Sequence, residues 1–401
     1  MTLNELNKTY YRWYILFLGM MAYFFIAGLP RMCMPVLFKE ISEDIGLSIV
    51  KIGWIWGMDP LAGVFIALPG GLIADRFGVK RTMVLISIIA GIFGALRGLS
   101  VNFVSMAVTM FLFGLTAATM PSVVPKLTAQ WFRGRELGIT NALLNIIWGF
   151  GSMSATMFSA TLFSPFFGGW RVVMFVYGIP CIILAFLWLF TGREPKPEDH
   201  SVSRLADSVS LRDSLIHIIK IKEVWIIGLI TFTFWGSSNG MVGYLPVYLR
   251  DIGWTPVAAD SVITVMAGVA TIGAIPVVIL SDRLGTRKGV MLVSTFLMAS
   301  TLFFLPVFQG SILWLLIIIN GFTRIGVAAL FNVVVIELKE VGSVYSGSTV
   351  GLVSAMGMLG AFLSPPLGNY FANYNAGYPF FFWAILASAG LPLFLLLRKI
   401  K

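Results

Sequence analysis

Apolar runs long enough to cross a bilayer recur along the whole chain, and this leaves few folds open. A hydrocarbon core about 30 Å thick takes roughly 20 consecutive apolar residues in a helix. Such runs stand near 13–37, 51–72, 82–99, 103–124, 137–162, 171–190, 223–248, 258–280, 290–308, 312–336, 344–367 and 378–397. In lipid every backbone polar group must be paired internally, so each run is expected to be a helix. The weak alternation that marks an outer-membrane barrel is absent. Charged residues make up 11% of the 401 residues, against roughly 25% in soluble domains. The expected fold class is an all-α membrane protein with twelve transmembrane helices.

The basic residues orient the chain. Net charge is +10, which in a soluble protein would suggest nucleic acid as partner. Here the simpler reading is that cytoplasmic loops collect Lys and Arg, so the partner is the lipid bilayer and not nucleic acid. One set of loops holds Lys8 and Arg12, then Arg76, Lys80 and Arg81, then Lys126, Arg133 and Arg135. The set continues with segment 191–222, Arg283, Arg287 and Lys288, then Lys339, Arg398, Lys399 and Lys401. That asymmetry puts both termini in the cytoplasm and requires an even number of spans. The expected location is the plasma (cell inner) membrane, crossed many times. The N-terminal MTLNELNKTYYRWY has no cleavable pattern, and the first apolar run is too long for a signal peptide. Cys33 and Cys181 each sit in an apolar run without metal-ligand company, so neither disulfide, metal nor cofactor is expected.

Segment 191–222 is the one long polar stretch. Pro195 and Pro197 with the neighbouring charges mark a linker, and an amphipathic helix is expected from about Ser210. His200 and His217 read as ordinary solvated residues. The linker divides an N-terminal six-helix bundle (1–190) from a C-terminal one (223–401). The two halves repeat each other. PVLFKEI (35–41) after span 1 matches PVYLRDI (246–252) after span 7. The strip GGLIADRFGVKRT (70–82) after span 2 returns as LSDRLGTRKG (280–289) after span 8. Asp282, Arg283, Gly285, Arg287 and Lys288 then take the places of Asp75, Arg76, Gly78, Lys80 and Arg81. Two such halves describe a secondary transporter built from repeats.

On these residues the chain resembles the major facilitator superfamily over nearly its whole length. The most specific element is Gly71-x-x-x-Asp75-Arg76-x-Gly78 with the basic residues after it; Val79 departs from the basic residue many members have there. The resemblance implies two pseudo-symmetric bundles, monomeric action, and a strip that latches the halves on the cytoplasmic side. Gly78 suits a tight turn, and Asp75 at a helix end suits a basic partner or another helix's positive N-terminus. Arg133 and Arg135 are candidate partners. The alternative is that these charges only follow the positive-inside rule, which covers Lys80 and Arg81 but not the repeated Asp-Arg-x-x-Gly.

Charges inside spans cost about 2.5–3.5 kcal/mol each on insertion scales, so each can be weighed. Arg324 lies about 12 residues, roughly 18 Å, from either end of span 10, too deep to snorkel easily. The resemblance implies that spans 1, 4, 7 and 10 line a central cavity, where Arg324 would bind substrate. The alternative is a structural partner for backbone carbonyls or Asn332. Arg31 in the outer part of span 1 would supply a second cation, and paired guanidinium groups suit a carboxylate. Asp59 is the candidate proton-coupling group, or else a fixed ion pair with Arg31 or Lys51. Asn320, Asn145, Asn239, Tyr244 and Trp148 are further candidates for the pocket, although polar residues also bridge helices. Glu337 reads as a gate residue at the end of span 10.

Branches of the superfamily fit unevenly. Span 5 reads WGFGSMSATMF, without the Gly-Pro element of drug-proton antiporters. Spans 2 and 8 lack the arginines of nitrate transporters, and span 8 lacks that of oxalate and monocarboxylate carriers. The Arg in span 1 is similar to organic-anion and sugar-phosphate symporters, but their span 7 Arg is missing. The anion reading thus rests on Arg31 and Arg324 and not on a branch match, and the expected function is proton-coupled symport of a small organic anion by alternating access. The rival is an efflux carrier for amphipathic or neutral compounds, with Trp54, Trp56 and Met residues as an adaptable lining. An enzyme is not expected, since no nucleophile-base set or paired carboxylates stand in the spans. A channel or sensor is equally remote.

Overall fold

The computed structural model describes residues 3–67, 69–194, 211–338 and 340–397. Among these residues there are helices and connecting turns but no strand. Twelve long helices cross the molecule: α1 (Tyr10–Ile45), α2 (Ile49–Ile66), α3 (Val79–Leu99), α4 (Phe103–Trp131), α5 (Arg135–Phe167) and α6 (Trp170–Thr191), then α7 (Lys222–Asp251), α8 (Pro256–Leu284), α9 (Arg287–Phe304), α10 (Ser311–Ile336), α11 (Gly342–Phe371) and α12 (Tyr378–Leu396). Eleven of the twelve are apolar enough to cross a membrane on composition alone. The exception is α7, which carries Thr231, Thr233, Ser237 and Ser238. It is also buried along most of its length. Its hydroxyls face protein: Thr231 and Ser237 donate to the carbonyls of Ile227 and Thr233 in the preceding turn. A helix sheltered by its neighbours need not look like a lipid-facing one.

Helix starts follow local chemistry. Asn102 and Ser105 form a capping box at α4, and Ser48, Thr255 and Thr286 accept backbone N–H groups at α2, α8 and α9. Such caps satisfy donors that the helix itself cannot. The expected span 51–72 is divided: α2 ends at Ile66 and a separate strip helix, Gly70–Phe77, begins after Pro69. Proline has no N–H and the glycines after it are weak helix formers, so the break falls there. Gly78 and Gly285, equivalent in the repeat, both have positive φ (81° and 60°), a conformation that favours glycine over any side chain.

The halves meet along two seams, α2 with α11 and α5 with α8. Glycines bring the backbones together there. A Cβ at Gly53 would meet the Pro366 backbone, and one at Gly149 would meet Thr271. Hydrogen bonds and an ion pair reinforce the contact on the face away from the basic strips, called here the far face. Lys39 pairs with Asp251 at 3.0 Å. Asn369 Nδ2 donates to Ile49 O at 2.9 Å and Trp56 Nε1 to Asn239 O at 2.9 Å. Thr156 and Thr264 share a hydrogen bond of 2.9 Å. The linker's described part is a helix, Leu211–Ile218, whose His217 stacks on Tyr345 at 4.3 Å; Pro195, Pro197 and His200 lie outside the described residues.

Two far-face arginines are tied down. Arg171 binds Asp44 at 2.9 Å, and Arg250 binds both oxygens of Asp260, at 2.6 and 2.8 Å. Asp260 is 1% exposed, so removing one member would strand a buried charge, at a cost of about 3–5 kcal/mol. The half-exposed Lys39–Asp251 pair is worth about 1 kcal/mol or less. Asp260→Ala is therefore expected to lower the thermal unfolding midpoint in detergent clearly, and Lys39→Ala hardly at all, as read by tryptophan fluorescence.

Candidate functional site

The centre of the molecule is built around a break in α1. Residues Tyr23–Gly28 form a π-turn, in which Leu29 N–H reaches back to Phe24 O. In that register the next donor would be Pro30, which has none. The carbonyl of Phe25 is taken instead by the Cys181 thiol at 3.0 Å. π-turns of this kind redirect the side chains beyond them, and the first charged side chain beyond this one is Arg31. Its Nη2 binds Asp59 Oδ2 of α2 at 2.7 Å. Asp59 is 4% exposed. It is enclosed because α4 comes close at Gly114, where a Cβ would meet the Asp59 backbone.

Arg324 enters from the other half, on α10. It is close enough to Arg31 for the two charges to act on each other. Its Nε is buried and has no hydrogen-bond partner among the described residues, and the same holds for Arg31 Nε. No hydrogen bond joins Arg324 to Asn332 among the described residues. Arg31 thus has Asp59 as its carboxylate, whereas Arg324, from the other half, has none among the described residues. Such an arrangement can accept a second carboxylate, in two-pronged fashion.

The other polar candidates divide. Asn145 is exposed on α5 with its amide on Asn141 O at 2.9 Å, and Trp148 is partly buried one turn on. Asn320 is turned away from Arg324: its amide donates to Thr301 Oγ1 of α9 at 2.9 Å and the residue is buried. Four residues along a helix bring two side chains to neighbouring positions, not to one target, and α9 claims the nearer one. Tyr244 donates to Ala376 O at 3.0 Å within the second half. Asn239 donates to Ala361 O at 2.9 Å while its own carbonyl accepts from Trp56. These three groups are bound to scaffold partners. Asp59 takes the ion pair with Arg31 and not with Lys51, which is exposed.

On the basic face the two strips are held to their own halves. Glu194 accepts Lys80 N–H at 2.8 Å, capping α3. Arg287 binds Glu337 at 2.9 Å and lies 3.7 Å from Asp282, and Lys288 donates to Leu397 O at 2.8 Å. Arg76, Arg81, Arg135, Asp282, Arg283 and Gly285 are exposed. Arg133 is exposed but engaged. The side chain of Asp75 and the environment of Gly71 lie outside the described residues. At the start of the first half, Arg12 binds Glu136 through two hydrogen bonds of 2.8 and 3.1 Å.

Sequence reasoning passed over Arg97. It lies in span 82–99, but next to the far end, where an arginine would be read as snorkelling. In the structure it is 0% exposed. The signal was its place on the face that otherwise holds few cations.

Twelve helices in two repeated bundles around a charged centre define a membrane carrier of the secondary-transporter type. Residues 16–262 and 227–401 each match the family model described as Major Facilitator Superfamily, and the chain belongs to that family. It is similar to the sialic acid transporter NanX of Escherichia coli (strain K12), 24% identical over 357 residues covering 86% of this chain and 84% of NanX. It is 31% identical over 206 residues to the "Probable galactarate/D-glucarate transporter GudP" of Bacillus subtilis (strain 168). That match covers 47% of this chain and only 42% of GudP. A bacterial homolog of the human lysosomal transporter Spinster, in an inward-facing and occupied conformation, shares the fold with a TM-score of 0.74 at 16% identity, covering 96% of both chains. Belonging to a family of transporters, the chain is not an enzyme.

If Asn320 is scaffold, its loss should act on stability and not on substrate. Asn320→Ala removes a buried hydrogen bond worth about 1 kcal/mol. A lower unfolding midpoint with an apparent KM for uptake within about twofold is expected, as measured in proteoliposomes.

Proposed function

We propose that the protein carries a small organic carboxylate, of the sugar-acid kind, across the cytoplasmic membrane by alternating access, with a proton as co-substrate. The observation that carries the reading is a pair of guanidinium groups from opposite halves, Arg31 bound to Asp59 and Arg324 without a carboxylate partner among the described residues. Arg324 is partly exposed, with its Nε buried and unpartnered among the described residues, and an anionic substrate would supply that partner. The relatives that transport galactarate, D-glucarate or sialic acid support the same substrate class.

The conformation fits one stage of such a cycle. Contacts from Lys39–Asp251 down to Thr156–Thr264 join the halves between the far face and the middle. In the next stage these pairs part and the strips around Gly71–Arg81 and Asp282–Lys288 meet, with the halves rocking about the bound anion. Substrate and Asp59 compete for Arg31. A carboxylate that takes Arg31 leaves Asp59 without its nearest cation, and a proton then neutralises it. In this reading the basic face is cytoplasmic, as the positive-inside rule requires.

Uptake of D-glucarate and of N-acetylneuraminate into proteoliposomes tests this. Imposed inward pH gradients are expected to drive accumulation by the wild type. Arg324→Ala and Arg31→Ala should each weaken apparent affinity about 30-fold or more, the value of a charge-assisted pair. Asp59→Asn should retain exchange of substrate across the membrane but lose accumulation driven by protons. Uptake indifferent to both pH and voltage gradients would count against coupling, and Arg324→Ala with unchanged affinity would count against the anion site.

A further inference from the structure

Arg97 is a charge the centre contains and the transport scheme has not used. It stands at the end of α3, in the short 3₁₀ turn Arg97–Leu99, and is fully enclosed. Four contacts fix it. Nη1 donates to Pro30 O at 2.7 Å and to Met110 Sδ at 3.6 Å, and Nε donates to Gly94 O at 3.1 Å. The guanidinium lies over the Phe113 ring at 4.3 Å from its centre. Nη2 has no hydrogen-bond partner among the described residues, and the charge reaches Asp59.

The Pro30 carbonyl belongs to the peptide that joins Pro30 to Arg31. Here α1 lacks a backbone donor, and within the helix the Cys33 thiol reaches the Pro30 carbonyl at 3.3 Å. The peptide follows the π-turn, Pro30 brings no N–H, and the Phe25 carbonyl is held by Cys181 from α6. A backbone freed in this way can rotate unless something outside the helix fixes it. Arg97 does so from α3, through one strong charged hydrogen bond to the peptide next to Arg31. Its charge acts on the same carboxylate that Arg31 binds. Asp59 is thereby shared between two cations, and Arg31 keeps part of its attraction for an outside anion.

We propose that Arg97 is a positioning residue for substrate binding: by gripping the Pro30 carbonyl it aims Arg31 toward Arg324, without itself touching the substrate. The inference rests on the anion reading above. It differs from a purely structural role in one respect, because its effect must pass through Arg31.

D-glucarate uptake by wild type, Arg97→Lys, Arg97→Met, Arg31→Lys and the double variant Arg31→Lys/Arg97→Lys, in the full chain reconstituted in proteoliposomes, tests this. Lysine keeps the charge but cannot hold Gly94 and Pro30 together or stack on Phe113. Arg97→Lys is expected to raise KM about tenfold with kcat within about twofold, the worth of one charged hydrogen bond. Arg97→Met should raise KM further. In the Arg31→Lys background, where the aim of the guanidinium no longer matters, Arg97→Lys should add less than about twofold, whereas independent effects would multiply. Equal KM for Arg97→Lys and wild type overturns the inference, and so does a full tenfold effect in the Arg31→Lys background. Should Arg97→Met fail to yield a monodisperse protein, the lysine variants decide alone. If the wild type takes up neither D-glucarate nor N-acetylneuraminate, the anion reading fails and this inference with it; wild-type uptake with an unmoved Arg97→Lys removes only the inference.

Discussion

The arrangement at the centre depends on the Arg31–Asp59 ion pair. It ties α1 to α2 deep in the first half, at 2.7 Å, with the carboxylate enclosed and the guanidinium partly open. The enclosed carboxylate would not be stable there alone, since a lone charge in a low-dielectric interior is costly. The pair does not balance the site, however. Arg97 approaches the same carboxylate from α3, and Arg324 approaches Arg31 from α10. Among the described residues the interior therefore holds an excess of positive charge that its own acids do not cancel. Around it the fold supplies rigid support: close backbone contact at Gly114, the α2–α11 seam at Gly53, and the α5–α8 seam at Gly149.

Much of this was legible in the sequence because lipid imposes strong rules. Span number and the repeat follow from hydropathy and from two duplicated motifs. Arg324 could be singled out because nothing short of burial or a cavity explains an arginine 18 Å from either surface, roughly, at 1.5 Å per residue. The pairing of Asp59 with Arg31 was one of two partners the sequence offered. The choice against Lys51 depends on helix rotation, which sequence spacing in different helices does not give.

What was not legible came from backbone irregularity and from the faces of helices. The π-turn at Tyr23–Gly28 shifts every residue after it by a large angle, and its sequence, YFFIAG, reads as ordinary apolar helix. Pro30 gave a hint, but a proline near a helix start has several outcomes. Arg97 was passed over because it stands near a span end, although it is fully enclosed. Asn320 and Tyr244 were polar groups in the right helices, and in the structure they bond Thr301 of α9 and the Ala376 carbonyl in the turn after α11. The division at Pro69 was marked by the LPGG sequence and hidden by the apolar residues around it.

The polar character of α7 has a consequence for how the chain enters the bilayer during synthesis. Alone it is the least suited of the twelve helices to lie among lipid tails, and it packs chiefly against α11, which follows it by about a hundred residues. Until that neighbour emerges, α7 must be sheltered by the first half already in place or by the insertion machinery itself. The second bundle is thus expected to consolidate late, around its last helices, rather than helix by helix in the order of translation.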